Sequence, residues 1–143
     1  YAAKYPERRW IIGRGWNQEK WGLGRFPTAL DLDAAVGDRP VWLERVDGHA
    51  GWANSKAMEI AGVNQLSVEN FDEINVSGGE VFRDELGNPT GVFNETAQRL
   101  IWKHVPKDTP EKDKMALNLA IKACQRNGIT TTASLVCSYC KEL

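Results

Sequence analysis

The chain has 143 residues, enough for one domain with a real core, since a chain of about 150 residues buries roughly two thirds of its unfolded surface. Eighteen Lys and Arg stand against nineteen Asp and Glu, and the formal net charge of -1 offers no general attraction to nucleic acid or an anionic membrane. No apolar run approaches the roughly 20 residues of a membrane span, YAAKYPERRW lacks a signal-peptide core, and an odd cysteine count argues against a secreted disulfide framework; a cytoplasmic address is expected.

In chain order, residues 1–9 read as the polar end of a helix, and the absence of an initial Met suggests an excerpted chain. Trp10-Ile11-Ile12 is a short apolar run with β-branched residues, a buried strand ending at Gly13. A glycine-rich loop follows over residues 13–28 and carries Trp16 and Trp21. Thr28 caps a helix with Asp31 near its positive end, and Gly37 and Pro40 stop it. Residues 41–46, VWLERV, form a second strand. Strand, loop, helix and strand make a βαβ unit, whose strands pair in parallel through a right-handed crossover.

The same grammar then repeats: a polar loop follows, and Asn54 or Ser55 caps a short helix ending at Gly62. Val81-Phe82 and Val92-Phe93 flank the turn-rich Leu86-Gly87-Asn88-Pro89, a β-hairpin. TAQRLIWKHV is an amphipathic helix. Another begins at Thr109-Pro110-Glu111, with proline where its missing N–H does no harm, and ends at Asn127-Gly128. Met115, Leu119, Ala120, Ala123 and Cys124 form its expected buried stripe. ITTTASLV is a last strand.

The sharpest constellation is Asp47-Gly48-His49, directly after a predicted parallel strand, where α/β folds gather ligands. Asp47 is placed to orient the His49 ring, and Gly48 to let the backbone approach closely. His104, inside a helix pattern, reads as surface or structural. Asp84 and Glu95 bracket the hairpin, and two carboxylates serve acid–base work when their pKa values are pushed apart; Arg83 is placed to pair with either. Cys137 and Cys140 form a CxxC near the chain end, which supplies at most two of zinc's four ligands.

Three separate motifs, WIIGRGWNQEKW, FPTALDLDAAVGDRPVWLERVDGHAGWANSKAMEIAGV and GGEVFRDELGNPTGVFNETA, resemble the YtcJ-like branch of the metal-dependent amidohydrolases (amidohydrolase family 3) in order and spacing. The resemblance covers residues 1–132 and implies a partial (β/α) barrel in one α/β domain, with parallel strands, crossover helices and a β-hairpin inserted over residues 76–95. It implies a hydrolase of C–N, amide-type bonds that uses a divalent metal, zinc, to activate water. Trp16, Asp47, His49 and Trp52 are then the expected substrate-binding residues.

The family's metal ligands, an HxH pair, a bridging lysine, two further histidines and an aspartate, match nothing in this sequence, so no metal is expected to be held by this chain alone. Residues 133–143 match no motif of that pattern. The chain is accordingly expected to be an inactive fragment that self-associates, or else a binding module or oligomer that keeps the pocket wall for a small molecule.

Overall fold

The structure, a computed structural model, describes residues 1–63 and 78–133 of the chain. They fall in two compact units, Tyr1–Pro106 and Lys107–Leu143. The first unit is built on one five-stranded sheet in the order β1-β2-β3-β5-β4. Its strands are β1 (Ile11–Trp16), β2 (Val41–Arg45), β3 (Ala50–Ala53), β4 (Gly79–Arg83) and β5 (Pro89–Glu95).

The expected βαβ unit is present, because β1 and β2 pair in parallel from Ile11↔Val41 onward. The remaining pairs are antiparallel: β2 with β3, β3 with β5, and β4 with β5. The sheet is therefore mixed, and parallel pairing holds for β1 and β2 alone among the described strands. The hairpin of β4 and β5 is continuous with the same sheet, since Gly51 pairs with Phe93 and Trp52 with Val92. Two antiparallel steps separate β2 from β5, so β1, β2 and β5 all point the same way. Their last residues, Trp16, Arg45 and Glu95, lie toward one end of the sheet.

β3 corrects the reading of a polar loop leading straight to a helix. The Asp47-Gly48 pair turns the chain back at once, which Asp-Gly does readily because glycine accepts the left-handed conformation that the turn needs. Gly48 has φ 78° and nothing within 4 Å of where its Cβ would stand, so backbone geometry, not close approach, calls for glycine there. At Gly51 the reason is space: an added Cβ would lie 2.0 Å from the Trp42 ring.

Strand side chains alternate between the two faces of a sheet. One face carries Trp42, Ala53, Val81 and Phe93, and buries them against Ala57 and Met58 of α3 (Ser55–Ile60) and Leu100 and Ile101 of α4 (Arg99–Trp102). A 3-10 turn over Thr96–Gln98 leads into α4. The opposite face carries Trp16, Ala50, Trp52 and Val92, with Phe26, Leu32, Leu43 and Phe82 packed on them. Two short helices, α1 (Gln18–Trp21) and α2 (Ala29–Asp33), lie in the β1–β2 connection.

Asn54 is fully buried and joins the crossover to the sheet. Its Oδ1 accepts from the N–H groups of Val41 at 2.9 Å and Ala57 at 3.0 Å. Its Nδ2 donates to the carbonyls of Val36 and Arg39, each at 2.9 Å. Asn54, not Ser55, is thus the cap of α3.

Other expectations shift. Residues 1–9 form turns closed by bonds such as Tyr5 N–H to Tyr1 O, and no helix. β1 continues through Gly13 to Trp16, with an irregularity between Arg14 and Trp16, and so takes up the start of the glycine-rich loop. α2 ends at Asp33, ahead of Gly37.

In the second unit, Thr109 caps α5 (Pro110–Arg126) by accepting from Lys112 N–H at 3.4 Å, and Asn127 ends the helix as expected. Its apolar stripe is not buried: Met115 and Leu119 are exposed, and no residue of α5 is buried. Among the described residues of this unit no strand or second helix lies in the chain for that stripe to fold upon. Residues 129–133 form no strand, and the rest of ITTTASLV lies outside the described residues, as do Cys137 and Cys140.

Candidate functional site

Four elements converge on the end of the sheet where β1, β2 and β5 finish. Trp16 closes β1, Arg45 closes β2, the Asp47–His49 turn leads into β3, and Glu95 closes β5. Val46 N–H donates to Trp16 O at 3.0 Å, which fixes the turn to β1.

Along this end the side chains form one chain of contacts. The Arg45 guanidinium lies over the rings of Trp16 and Phe26, 5.9 Å from each centroid. Its Nη1 is 3.1 Å from Asp47 Oδ2, and its Nε is buried without a hydrogen-bond partner. Asp47 Oδ1 accepts from the His49 backbone N–H at 3.0 Å. Asp47 therefore holds the turn, while the imidazole has a different partner. His49 Nδ1 lies 2.9 Å from Glu95 Oε1, with 65% and 50% of the two side chains exposed. Glu95 N–H donates to His49 O at 2.9 Å, and Gln98 Nε2 donates to Gly48 O at 3.0 Å. Asp47 thus faces the guanidinium and Glu95 the imidazole.

Glu95 has φ 49° and ψ -126°, the sole non-glycine positive φ among the described residues. Such a backbone costs about 1–3 kcal/mol. An exposed pair of this kind contributes about 0–1 kcal/mol even with both partners charged. The pair with His49 does not offset the strain, and strained residues of this kind cluster at functional sites.

The aromatic part of the site is a packed trio. Trp16 and Trp52 meet edge to face at 6.0 Å, and Trp21 lies 6.3 Å from Trp16 and 6.0 Å from Trp52. Trp16 and Trp52 are each only 6% exposed, whereas Trp21 is 47% exposed. The two buried indoles place their N–H groups on backbone carbonyls, Trp16 on Leu43 O at 2.9 Å and Trp52 on Thr28 O at 2.8 Å. Trp16 and Trp52 are therefore the floor, and Trp21 is the member that offers aromatic surface to a ligand.

The loop that carries this rim is anchored at Asp31. Arg25 grips its carboxylate through both terminal nitrogens, at 2.8 and 2.9 Å, and Thr28 N–H donates to it at 2.7 Å. The Arg25 hydrogen bonds, then the Thr28 N–H, hold the Asp31 carboxyl far below the usual carboxylate range, and Asp31 in turn raises Arg25.

Of the expected site residues, Trp16, Asp47 and His49 come together through Arg45, and Trp52 joins through Trp16. Asp84 and Glu95 do not form an acid–base pair. Asp84 sits in the hairpin turn, accepting from Leu86 N–H at 2.9 Å and Asn88 N–H at 2.8 Å, and the Asn88 side chain foremost lowers its pKa. Arg83 donates to Gly87 O. His104 is half-buried in the turn after α4. Arg45 is the residue that sequence reasoning did not place in the site, whereas Trp21 was expected on the pocket wall beside Trp16. The cue for Arg45 is its position closing a parallel strand.

Among the described residues, no three His, Cys, Asp or Glu side chains come together as a metal site would need. His49 and Glu95 provide two donors, where zinc takes three or four protein ligands. The described residues do not fit the metal of the resembled family. No described helix is long and apolar enough to cross a membrane.

Residues 1–140 match the family model described as "Amidohydrolase family". YtcJ of Bacillus subtilis is 37% identical over 96% of this chain and 26% of its own length. Protein LONG AFTER FAR-RED 3 of Arabidopsis thaliana is 37% identical over 90% of this chain and 21% of its own. The N-substituted formamide deformylase of Arthrobacter pascens is 32% identical over 79% of this chain and 20% of its own. The chain thus spans about a fifth to a quarter of these relatives. A solved structure of an uncharacterized metal-dependent hydrolase from Pyrococcus furiosus is 30% identical, covering 70% of this chain and 18% of that one, with a TM-score of 0.44.

Proposed function

Because the chain belongs to the amidohydrolase family, we propose that it is a segment of a hydrolase acting on C–N bonds of the amide type, and that its sheet end forms one wall of the substrate site. The observation that carries this reading is the convergence of Trp16, Arg45, Asp47, His49 and Glu95 at the ends of three like-directed strands, where α/β folds place their ligands. The name of the Arthrobacter relative, an N-substituted formamide deformylase, supports an amide as substrate. Trp16, Trp52 and the exposed Trp21 supply apolar area for the substrate body, while Asp47 and His49 supply polar contacts. Such a mixture of apolar wall and few fixed polar groups suits a small molecule.

In this proposal the sheet is part of a (β/α) barrel and the divalent metal, zinc in the resembled family, is held by residues beyond this segment. That metal would supply activated water, and this chain alone binds without turning over. We place it in the cytoplasm, self-associating through its open sheet edges.

The test is a titration of the 143-residue chain with N-substituted formamides, followed by tryptophan fluorescence and by product release. The expected result is saturable quenching, lost in His49→Ala and Trp21→Ala, with no hydrolysis. Absence of any saturable change overturns the substrate-wall reading, and turnover by this chain overturns the proposed division of labour.

A further inference from the structure

Glu95 is more firmly built than an exposed carboxylate needs to be. It holds a backbone conformation that a Cβ disfavours, and it is tied to His49 twice, through its N–H and through its carboxylate. The turn bearing the imidazole is fixed again by Asp47 on His49 N–H, by Arg45 on Asp47 and by Gln98 on Gly48 O. Yet 65% of the His49 side chain is open to solvent. These ties fix the direction in which one face of an imidazole points.

We propose that Glu95 is a positioning residue that holds His49 with Nδ1–H turned toward the carboxylate and the Nε2 lone pair turned outward, so that His49 is the hydrogen-bond acceptor of the site. The proton inventory requires it. An ionised carboxylate only accepts, so the proton between Oε1 and Nδ1, 2.9 Å apart, belongs to Nδ1. A neutral imidazole carries one N–H, which leaves Nε2 bare. The opposite tautomer would set two lone pairs against each other.

The ligand group that meets Nε2 is an N–H or O–H donor, which an amide retaining a nitrogen-bound hydrogen provides. That this group belongs to a substrate rests on the function proposed above. The tautomer does not.

The test is nitrogen NMR of the imidazoles in the intact 15N-labelled chain, which has two histidines, with His104→Gln assigning the spectrum. It is run on the alkaline plateau of the nitrogen shifts, where the spectrum itself shows neutral rings. The expected result is His49 protonated on Nδ1 and bare on Nε2. Glu95→Gln, which keeps an oxygen acceptor, retains that state. Glu95→Gly, which relaxes the backbone, stays folded with an unchanged or raised melting temperature and loses the tautomer preference.

A wild-type His49 protonated on Nε2 overturns the proposal, whatever the variants do. So does a folded Glu95→Gly with an unchanged tautomer. Neither readout uses substrate or turnover, so failure here leaves the hydrolase reading standing, and failure of the formamide titration leaves the tautomer standing.

Discussion

Asn54→Ala tests how the crossover is locked to the sheet. The native side chain is fully buried and satisfies four backbone groups: the N–H groups of Val41 and Ala57 and the carbonyls of Val36 and Arg39. The two N–H bonds lie in buried surroundings, while the two carbonyls lie where water has partial access. Counting only the buried pair, at about 1–3 kcal/mol for each group left without a partner, the loss centres on about 4 kcal/mol. That is a large share of the roughly 5–15 kcal/mol that holds a domain together. In urea unfolding followed by tryptophan fluorescence, with a slope of about 1–3 kcal/mol per M, the midpoint should fall by about 1.3–4 M. Asn54→Ser keeps an oxygen for Ala57 N–H but cannot reach all four groups, so it should fall between. A loss below about 1 kcal/mol for Asn54→Ala would reduce the residue to an ordinary helix cap and refute the lock.

Two further outcomes follow from single contacts. Gly51→Ala drives a Cβ to within 2.0 Å of the buried Trp42 ring and should cost about 1–3 kcal/mol; Trp42→Leu in the same chain should recover part of it, and a strictly additive double-mutant cycle would deny the contact. Asp31 has a folded pKa below its unfolded value, so its contribution is present above the ordinary carboxylate range of about 3.9 and is lost as pH falls through that range toward the folded pKa. Thermal melts of Asp31→Asn against wild type should therefore differ at neutral pH and converge in acid; a gap that persists in strong acid would contradict the linkage.

Local chemistry explains which parts of the fold were legible from residues alone. Thr28 with Asp31 and Thr109 with Pro110 work within a few residues and fall where expected, and the hairpin is found with its turn at Asp84–Asn88 and Pro89 opening β5. The parallel pairing of β1 and β2 also follows from the length and order of the connection between them. β3 was obscured because four residues, AGWA, are too few to show period-two alternation, although Asp47-Gly48 carried the hairpin signal. The amphipathic pattern of α5 predicts which residues share a stripe, and says nothing about what covers it.

The family membership, the caps and the turns were determined by the sequence itself, because each depends on residue identity and short spacing. Only the tertiary structure decided that Glu95, 46 residues away, and not neighbouring Asp47, faces the His49 ring. It also decided that Trp21, and not Trp16 or Trp52, keeps its face open. The reason is physical: the turn over residues 46–49 directs Asp47 at a backbone N–H, and the pairing of β3 with β5 carries Glu95 to the imidazole. Partners brought together by sheet register have no counterpart in linear spacing.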